Sequence, residues 1–224
     1  NEQFIGKLKE ENKIDLYCFM DKLSTVLPQN ATVIADAGLE ELIVPSSVKY
    51  REGQRCVFPA AQGAMGYGIP AIIGAYEAGR QNICCIVGDG SIMMNLQELQ
   101  IVSYLKIPVK IFVINNNMYA VIRKRQTDLF RKRTIGNDPS DGVPKPDFKS
   151  IAQCFGFEYR IIPDWTEFLE TLPGLFDGRA EIIEVICTPE QMYFHESYAI
   201  NEKRKLVHRP IEDMSPFLPR ELVR

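Results

Sequence analysis

No run of 18 apolar residues occurs in this chain and no basic, apolar-cored leader opens it, so neither a membrane span nor secretion is expected and the expected location is cytoplasmic. Acidic and basic residues nearly cancel, leaving a net charge of −3 and no case for a nucleic-acid partner. Histidine is scarce. His195 and His208 are the only two, neither lies in an HExxH or beside a Gly-x-Ser-x-Gly elbow, and both read as surface or tail residues. A P-loop is missing, and Gly63-x-x-Gly66-x-Gly68 has the wrong spacing for a dinucleotide fingerprint, with no strand running directly into it. The six cysteines (Cys18, Cys56, Cys84, Cys85, Cys154 and Cys187) form no CxxC pair and read as reduced core thiols, not as disulfides or metal ligands. No repeat or low-complexity tract is present. The first residue is Asn1, not Met, which reads as a fragment or a processed chain.

What is present is an ordinary globular composition, 46% hydrophobic over 224 residues, enough for one large domain with a sizeable core. Residues 1–13 read as a linker or leading segment, 14–190 as the domain, and 191–224 as an extended C-terminal tail. Within the domain, helical and strand patterns alternate. An amphipathic helix over 14–27 precedes a strand over 32–35 that leads into Asp36-Ala37-Gly38. A short strand over 56–58, a helix over 65–78, a strand over 83–87, a helix over 92–105 and a strand over 109–114 follow. A helix near 119–129, a polar stretch over 131–145, a helix over 148–155, a strand over 158–162, a helix over 165–176 and a strand over 180–187 complete the pattern. Such alternation predicts an α/β fold, a three-layer sandwich with a mainly parallel sheet.

The polar turns at the strand ends carry the chemistry. Gly88-Asp89-Gly90-Ser91 follows one short, β-branched run, and Asn115-Asn116-Asn117, its middle residue 27 positions after Asp89, follows the next. Two parallel neighbours place both turns on one sheet edge, where a carboxylate and a carboxamide converge. Hard cations such as magnesium take oxygen ligands and keep phosphates in their shell, so one Asp, one Asn and a backbone carbonyl suffice. Gly88 and Gly90 allow close approach of an anion, and the Gly90 and Ser91 amides at a helix start are expected to donate to it. A lone Gly-Asp-Gly is an ordinary turn, so both halves are needed.

With both halves in place the segment resembles the thiamine diphosphate signature. Over about positions 30–190 the chain is similar to the C-terminal, diphosphate-binding domain of the acetolactate synthase and pyruvate decarboxylase superfamily, which implies the thiamine diphosphate-binding fold. The resemblance assigns the metal to Asp89, Asn116 and the carbonyl of Met118. It assigns cofactor contacts to Ala37, Gly38, Leu39, Gly63, Met65, Gly88, Asp89, Gly90, Ser91, Asn116, Met118 and Tyr119. Gly63-Ala64-Met65-Gly66-Tyr67-Gly68-Ile69-Pro70 resembles the segment whose large apolar residue bends the cofactor, so Met65 is the expected wedge; the lesser alternative is a core Met at the start of a helix. The bend lets the cofactor's amino group activate its thiazolium, and the cofactor then carries the chemistry.

The implied activity is that of a transferase or lyase. An acetolactate synthase-like carboligase decarboxylates a 2-keto acid such as pyruvate and passes the acyl unit to an acceptor carbonyl. A simple 2-keto acid decarboxylase is the second reading, and a non-catalytic regulatory or assembly domain that keeps the fold is the third. Acetolactate synthases usually carry Gly-Gln-His where this chain has Gly38-Leu39-Glu40. Glu40, as a carboxylate, is not expected to donate to a phosphate, which leaves that task to the amides of Ala37, Gly38 and Leu39.

A Trp of their substrate channel is replaced by Arg125, which suits an acceptor bearing phosphate or carboxylate. Arg125 belongs to a basic cluster with Arg123, Lys124, Arg131, Lys132 and Arg133 that is otherwise a solvated helix face. The long stretch 131–145 reads as an active-site loop, a partner-facing segment or a surface insertion. Arg209-Pro210-Ile211-Glu212-Asp213-Met214-Ser215-Pro216 resembles the closing segment of acetolactate synthase-like proteins. The superfamily's catalytic glutamate lies in a pyrimidine-binding domain, fused upstream or on a separate subunit. The chain is therefore expected to be catalytically incomplete alone and to work in a homo-oligomer. A flavin (FAD) is expected only if a central domain accompanies it.

Overall fold

A computed structural model describes Leu8 and residues 10–191, together with 193–194, 197–200, 203, 205–215, 217 and 219–222. Residues 1–7 and 9 of the leading segment, and His195 and Pro216 near the other end, lie outside the described residues. Two compact units meet at the Gln191–Met192 boundary.

The first unit runs α1 (Leu16–Val26), β1 (Thr32–Ala35), α2 (Leu39–Ser47), β2 (Arg55–Val57), α3 (Gly68–Glu77) and β3 (Ile83–Gly88). It continues through a 3-10 segment (Ile92–Glu98), α4 (Leu99–Tyr104), β4 (Val109–Asn115), α5 (Ala120–Leu129), α6 (Phe148–Phe155), β5 (Glu158–Ile162), α7 (Trp165–Thr171) and β6 (Glu181–Ile186). The six strands form one sheet in the order β2-β1-β3-β4-β6-β5, and every pairing is parallel. This is the expected α/β architecture.

Side-chain alternation along each strand supplies the two cores. On β4, Val109, Ile111 and Val113 join Ile69 and Ile72 of α3, Leu99 and Val102 of α4, and Phe148 and Ala152 of α6 on one face. Phe112 turns to the other face, where its ring meets Phe19 of α1 edge-on at 5.6 Å, and Phe19 in turn lies 4.5 Å from Phe168 of α7. Each of these phenylalanines is fully buried, worth about 2–3 kcal/mol of transfer free energy. Asp15, Asp147 and Asp164 cap α1, α6 and α7 by accepting from first-turn amides.

Three elements differ from the sequence pattern. Helix α2 has no counterpart in the sequence pattern, which assigns no element over 39–47; Pro45 is accommodated near its end. The helix expected over 92–105 is broken at Asn95 (φ −135°, ψ 38°), whose side-chain amide donates to Gly66 O at 3.0 Å. Met65, Gly66 and Tyr67 precede α3 instead of opening it, with Gly66 in the left-handed region. Among the thiols, Cys84, Cys85 and Cys187 are buried as expected, whereas Cys154 is exposed because it falls on the outer face of α6.

At the amino-terminal edge of the sheet, the ammonium of buried Lys110 meets Glu181 Oε2 at 2.8 Å and Asp177 Oδ1 at 2.9 Å. Arg160 Nε donates to Glu181 Oε1 at 2.8 Å. In the second unit, β7 (Tyr198–Ile200) and β8 (Leu206–His208) pair antiparallel, and the ring of exposed His208 lies 4.4 Å from that of Tyr198. Among the described residues no helix is long and apolar enough to cross a membrane.

Candidate functional site

The order of the strands makes β1 and β3 the place where the chain reverses its direction of growth across the sheet. Open parallel sheets bind ligands outside the carboxyl ends of the strands at such a point. Three segments emerge there: Asp36-Ala37-Gly38 after β1, Asp89-Gly90-Ser91 after β3 and Asn116-Asn117-Met118 after β4. They enclose a cavity of about 170 Å³. Its lining contains all twelve residues expected to touch the cofactor: Ala37, Gly38, Leu39, Gly63, Met65, Gly88, Asp89, Gly90, Ser91, Asn116, Met118 and Tyr119. Glu40, Glu41 and the first turn of α5 complete it. Arg125 does not line the cavity; it is exposed on α5, three residues after Ile122, which does.

Asp89 joins the two polar turns. Its Oδ1 accepts from Gly90 N and its Oδ2 from Asn117 N, both at 2.7 Å, while Asn117 adopts φ 58°. Asn116 Oδ1 accepts from Met118 N at 3.1 Å. Burial raises the Asp89 carboxyl to about 6, against the two amides and the more distant Lys145 that favour its charge. A Cβ on Gly90 would sit 2.2 Å from Tyr119 Cε1, so only glycine lets the tyrosine ring pack here.

The amides are distributed differently from the sequence expectation. Gly90 N turns to Asp89, and Ala37 N turns to Asp36 Oδ1 at 2.6 Å. Gly38 N and Leu39 N, at the start of nine-residue α2, have no partner among the described residues and remain for an anion. Gly38 has φ 108° and ψ −140°, a conformation that a side chain would strain.

Glu40 lies in the cavity wall. It is 4% exposed, and burial raises its carboxyl well above the ordinary range, reinforced by Asp36, Asp89 and Glu41. Burial therefore favours its neutral form over the charged one. Burial likewise raises Glu41, whose Oε2 has no hydrogen-bond partner.

Asp36, which sequence reasoning passed over, is fully buried and accepts from Ala37 N, Gly66 N, Gly68 N and Ser91 Oγ. Its only signal was its place at the end of an apolar strand. The 131–145 stretch also reaches the site. Asn137 O accepts from Tyr119 N at 2.8 Å, and Val143, Pro144 and Lys145 line a second cleft that shares Asp89, Gly90, Met118 and Tyr119 with the first.

The oxygens of Asp89 and Asn116, the unpaired amides of α2 and the glycine-opened approach suit a magnesium diphosphate. Among the described residues no cluster of three His, Cys, Asp or Glu side chains is arranged for a metal, so any cation would draw on carboxamide and main-chain oxygens. Residues 36–182 match the family described as thiamine pyrophosphate enzyme, C-terminal TPP binding domain. The chain belongs to this family.

The acetolactate synthase large subunit of Pyropia yezoensis is 35% identical to this thiamine pyrophosphate-binding domain over 133 residues, 59% of this chain and 22% of that protein. The acetolactate synthase isozyme 2 large subunit of Escherichia coli (strain K12) is 32% identical over 139 residues, 61% of this chain and 25% of its own length. The isozyme 1 large subunit of the same organism is 29% identical over 190 residues, 84% of this chain and 31% of that protein. The chain thus spans less than a third of each of these relatives.

Proposed function

We propose that this domain forms the magnesium- and diphosphate-binding half of an acetolactate synthase-like carboligase, which decarboxylates a 2-keto acid and transfers the acyl unit to an acceptor carbonyl. The observation that carries the proposal is the gathering of twelve residues from separate parts of the sequence around one cavity at the switch point. Asp89, Asn116 and the Met118 carbonyl would hold magnesium, and the Gly38 and Leu39 amides the diphosphate. Met65, half-buried in the cavity wall, would prop the cofactor from below. Thiamine diphosphate, when bound, supplies the electron sink for decarboxylation.

The domain's own residues bind, orient and exclude water; the glutamate that would activate the cofactor is assigned to a pyrimidine-binding partner domain. Met93, Ile122, Leu129 and Phe130 are between 41% and 60% exposed, with Met93 and Ile122 lining the two clefts, and this apolar rim supports a covering partner in a cytoplasmic homo-oligomer. Arg125 lies on the same face of α5 as Ile122, one turn away, and is proposed to meet a phosphate or carboxylate on the acceptor.

The test uses the native full-length protein. Magnesium with thiamine diphosphate should raise its melting temperature, Asp89→Ala should abolish the rise, and pyruvate should yield an acetolactate-type product. Acetaldehyde alone as product would assign a decarboxylase, and no melting shift with the pyrimidine-binding partner present would assign a non-catalytic domain.

A further inference from the structure

We propose that Asp36 is a positioning residue that fixes the backbone of the Met65 loop through a latch shared with Ser91 and Asn95. The inference rests on the reading of Met65 as the cofactor's prop and adds how that prop is held. One carboxylate gathers donors from three stretches of chain. Oδ1 accepts from Ala37 N at 2.6 Å, Gly66 N at 3.0 Å and Ser91 Oγ at 2.7 Å, and Oδ2 accepts from Gly68 N at 2.7 Å. Ser91 Oγ also accepts from Gly66 N at 3.2 Å.

The other side of the same glycine is held as well, because Asn95 Nδ2 donates to Gly66 O at 3.0 Å. Gly66 N belongs to the peptide plane that contains the Met65 carbonyl, so clamping that N–H sets the direction in which the chain leaves Met65. Gly66 has φ 84°, and a Cβ there would lie 2.8 Å from Met94 Cβ, so the turn the latch holds accepts only glycine.

The arrangement is costly for a purely architectural device. Asp36 is fully buried and no Lys, Arg or His pairs with it among the described residues, so its desolvation is offset by hydrogen bonds alone. Asn95 leaves helical geometry to reach Gly66. Both devices converge on the one residue that follows Met65, and Asp36 and Ser91 stand at the ends of the two strands that flank the switch point. Through this latch the turn after β1, Ser91 and the Met65 loop are joined by one hydrogen-bond network.

The test compares two probes on the native full-length protein by calorimetry: magnesium thiamine diphosphate and magnesium pyrophosphate, which lacks the rings that Met65 would prop. Met65→Ala, Asn95→Ala and Asp36→Asn should each weaken thiamine diphosphate about tenfold or more, while pyrophosphate binding changes less than about twofold. A merely structural role would lower both affinities together. Equal loss of both, or loss of neither, overturns the latch. Should Asp36→Asn fail to fold, Asn95→Ala, which removes the clamp on Gly66 O, still decides it. A wild-type protein that binds neither probe overturns the cofactor reading itself, and the latch with it.

Discussion

Asp89 Oδ2 accepts the amide proton of Asn117 at 2.7 Å across 28 positions of sequence, and this one bond turns two separate loops into a continuous wall. Asp89→Asn is expected to abolish the magnesium-dependent melting shift with thiamine diphosphate. The carboxamide keeps the size of the side chain but loses the charge that a hard cation selects. A fluorescence-monitored melt with and without magnesium checks it, and an undiminished shift would remove Asp89 from the ligand set.

Protons and magnesium should compete for the same carboxylate. The folded-state value of Asp89 is raised from 3.8 to about 6, so between those values the folded protein holds a proton that the unfolded chain has released. Stability without ligand therefore falls as pH rises through this window, by roughly 3 kcal/mol at most. Cation affinity moves the other way and weakens below about pH 6. Titrations with magnesium at pH 5 and pH 7.5 read this directly, and Asp89→Asn should flatten the stability curve.

Glu40→Gln should make the protein more stable at pH 8 than the wild type, with the difference shrinking toward pH 4. A carboxyl whose folded value is raised loses stability as pH rises; the amide has no proton to lose. Denaturant melts at the two pH values check it, and identical wild-type and variant profiles would show that Glu40 does not titrate against folding.

Gly90→Ala is expected to destabilise by about 1–3 kcal/mol and to displace the Tyr119 ring, because the new methyl would lie 2.2 Å from Cε1. Loss of cofactor affinity should accompany the loss of stability, and Tyr119→Ala in the same protein should recover part of the stability.

Lys110→Ala should cost about 3 kcal/mol by removing the one buried cation that joins Glu181 to Asp177 and leaving Glu181 Oε2 unpaired, with the more exposed Arg160 on Oε1 as its remaining partner. The site lies at the other end of β4, so the fraction that remains folded should bind thiamine diphosphate with wild-type affinity.

The fold was legible wherever β-branched runs were bounded by turn residues: the strands over 32–35 and 158–162 have the expected limits. It was not legible where a single side chain overrides local preference. Asn95 breaks a helix to reach Gly66, and Pro45 sits inside one that tertiary packing sustains. The cavity lining was legible because glycine, Asp and Asn at strand ends carry a local chemical meaning. Asp36 and Glu40 were not, since their roles depend on burial, and burial is set by residues 30 or more positions away, such as Gly66 for Asp36 and Gly88 for Glu40.

The ionic cluster around Lys110 and the cavity around Asp89 share strand β4 and lie at its opposite ends. Selection can therefore act on the two ends independently. Loops at the carboxyl end carry the cavity, while the ion pair of Lys110 and Glu181 bridges β4 and β6 at the amino end. A substitution in the cavity loops leaves that ionic bridge untouched, so what the domain binds can change without loosening what folds it.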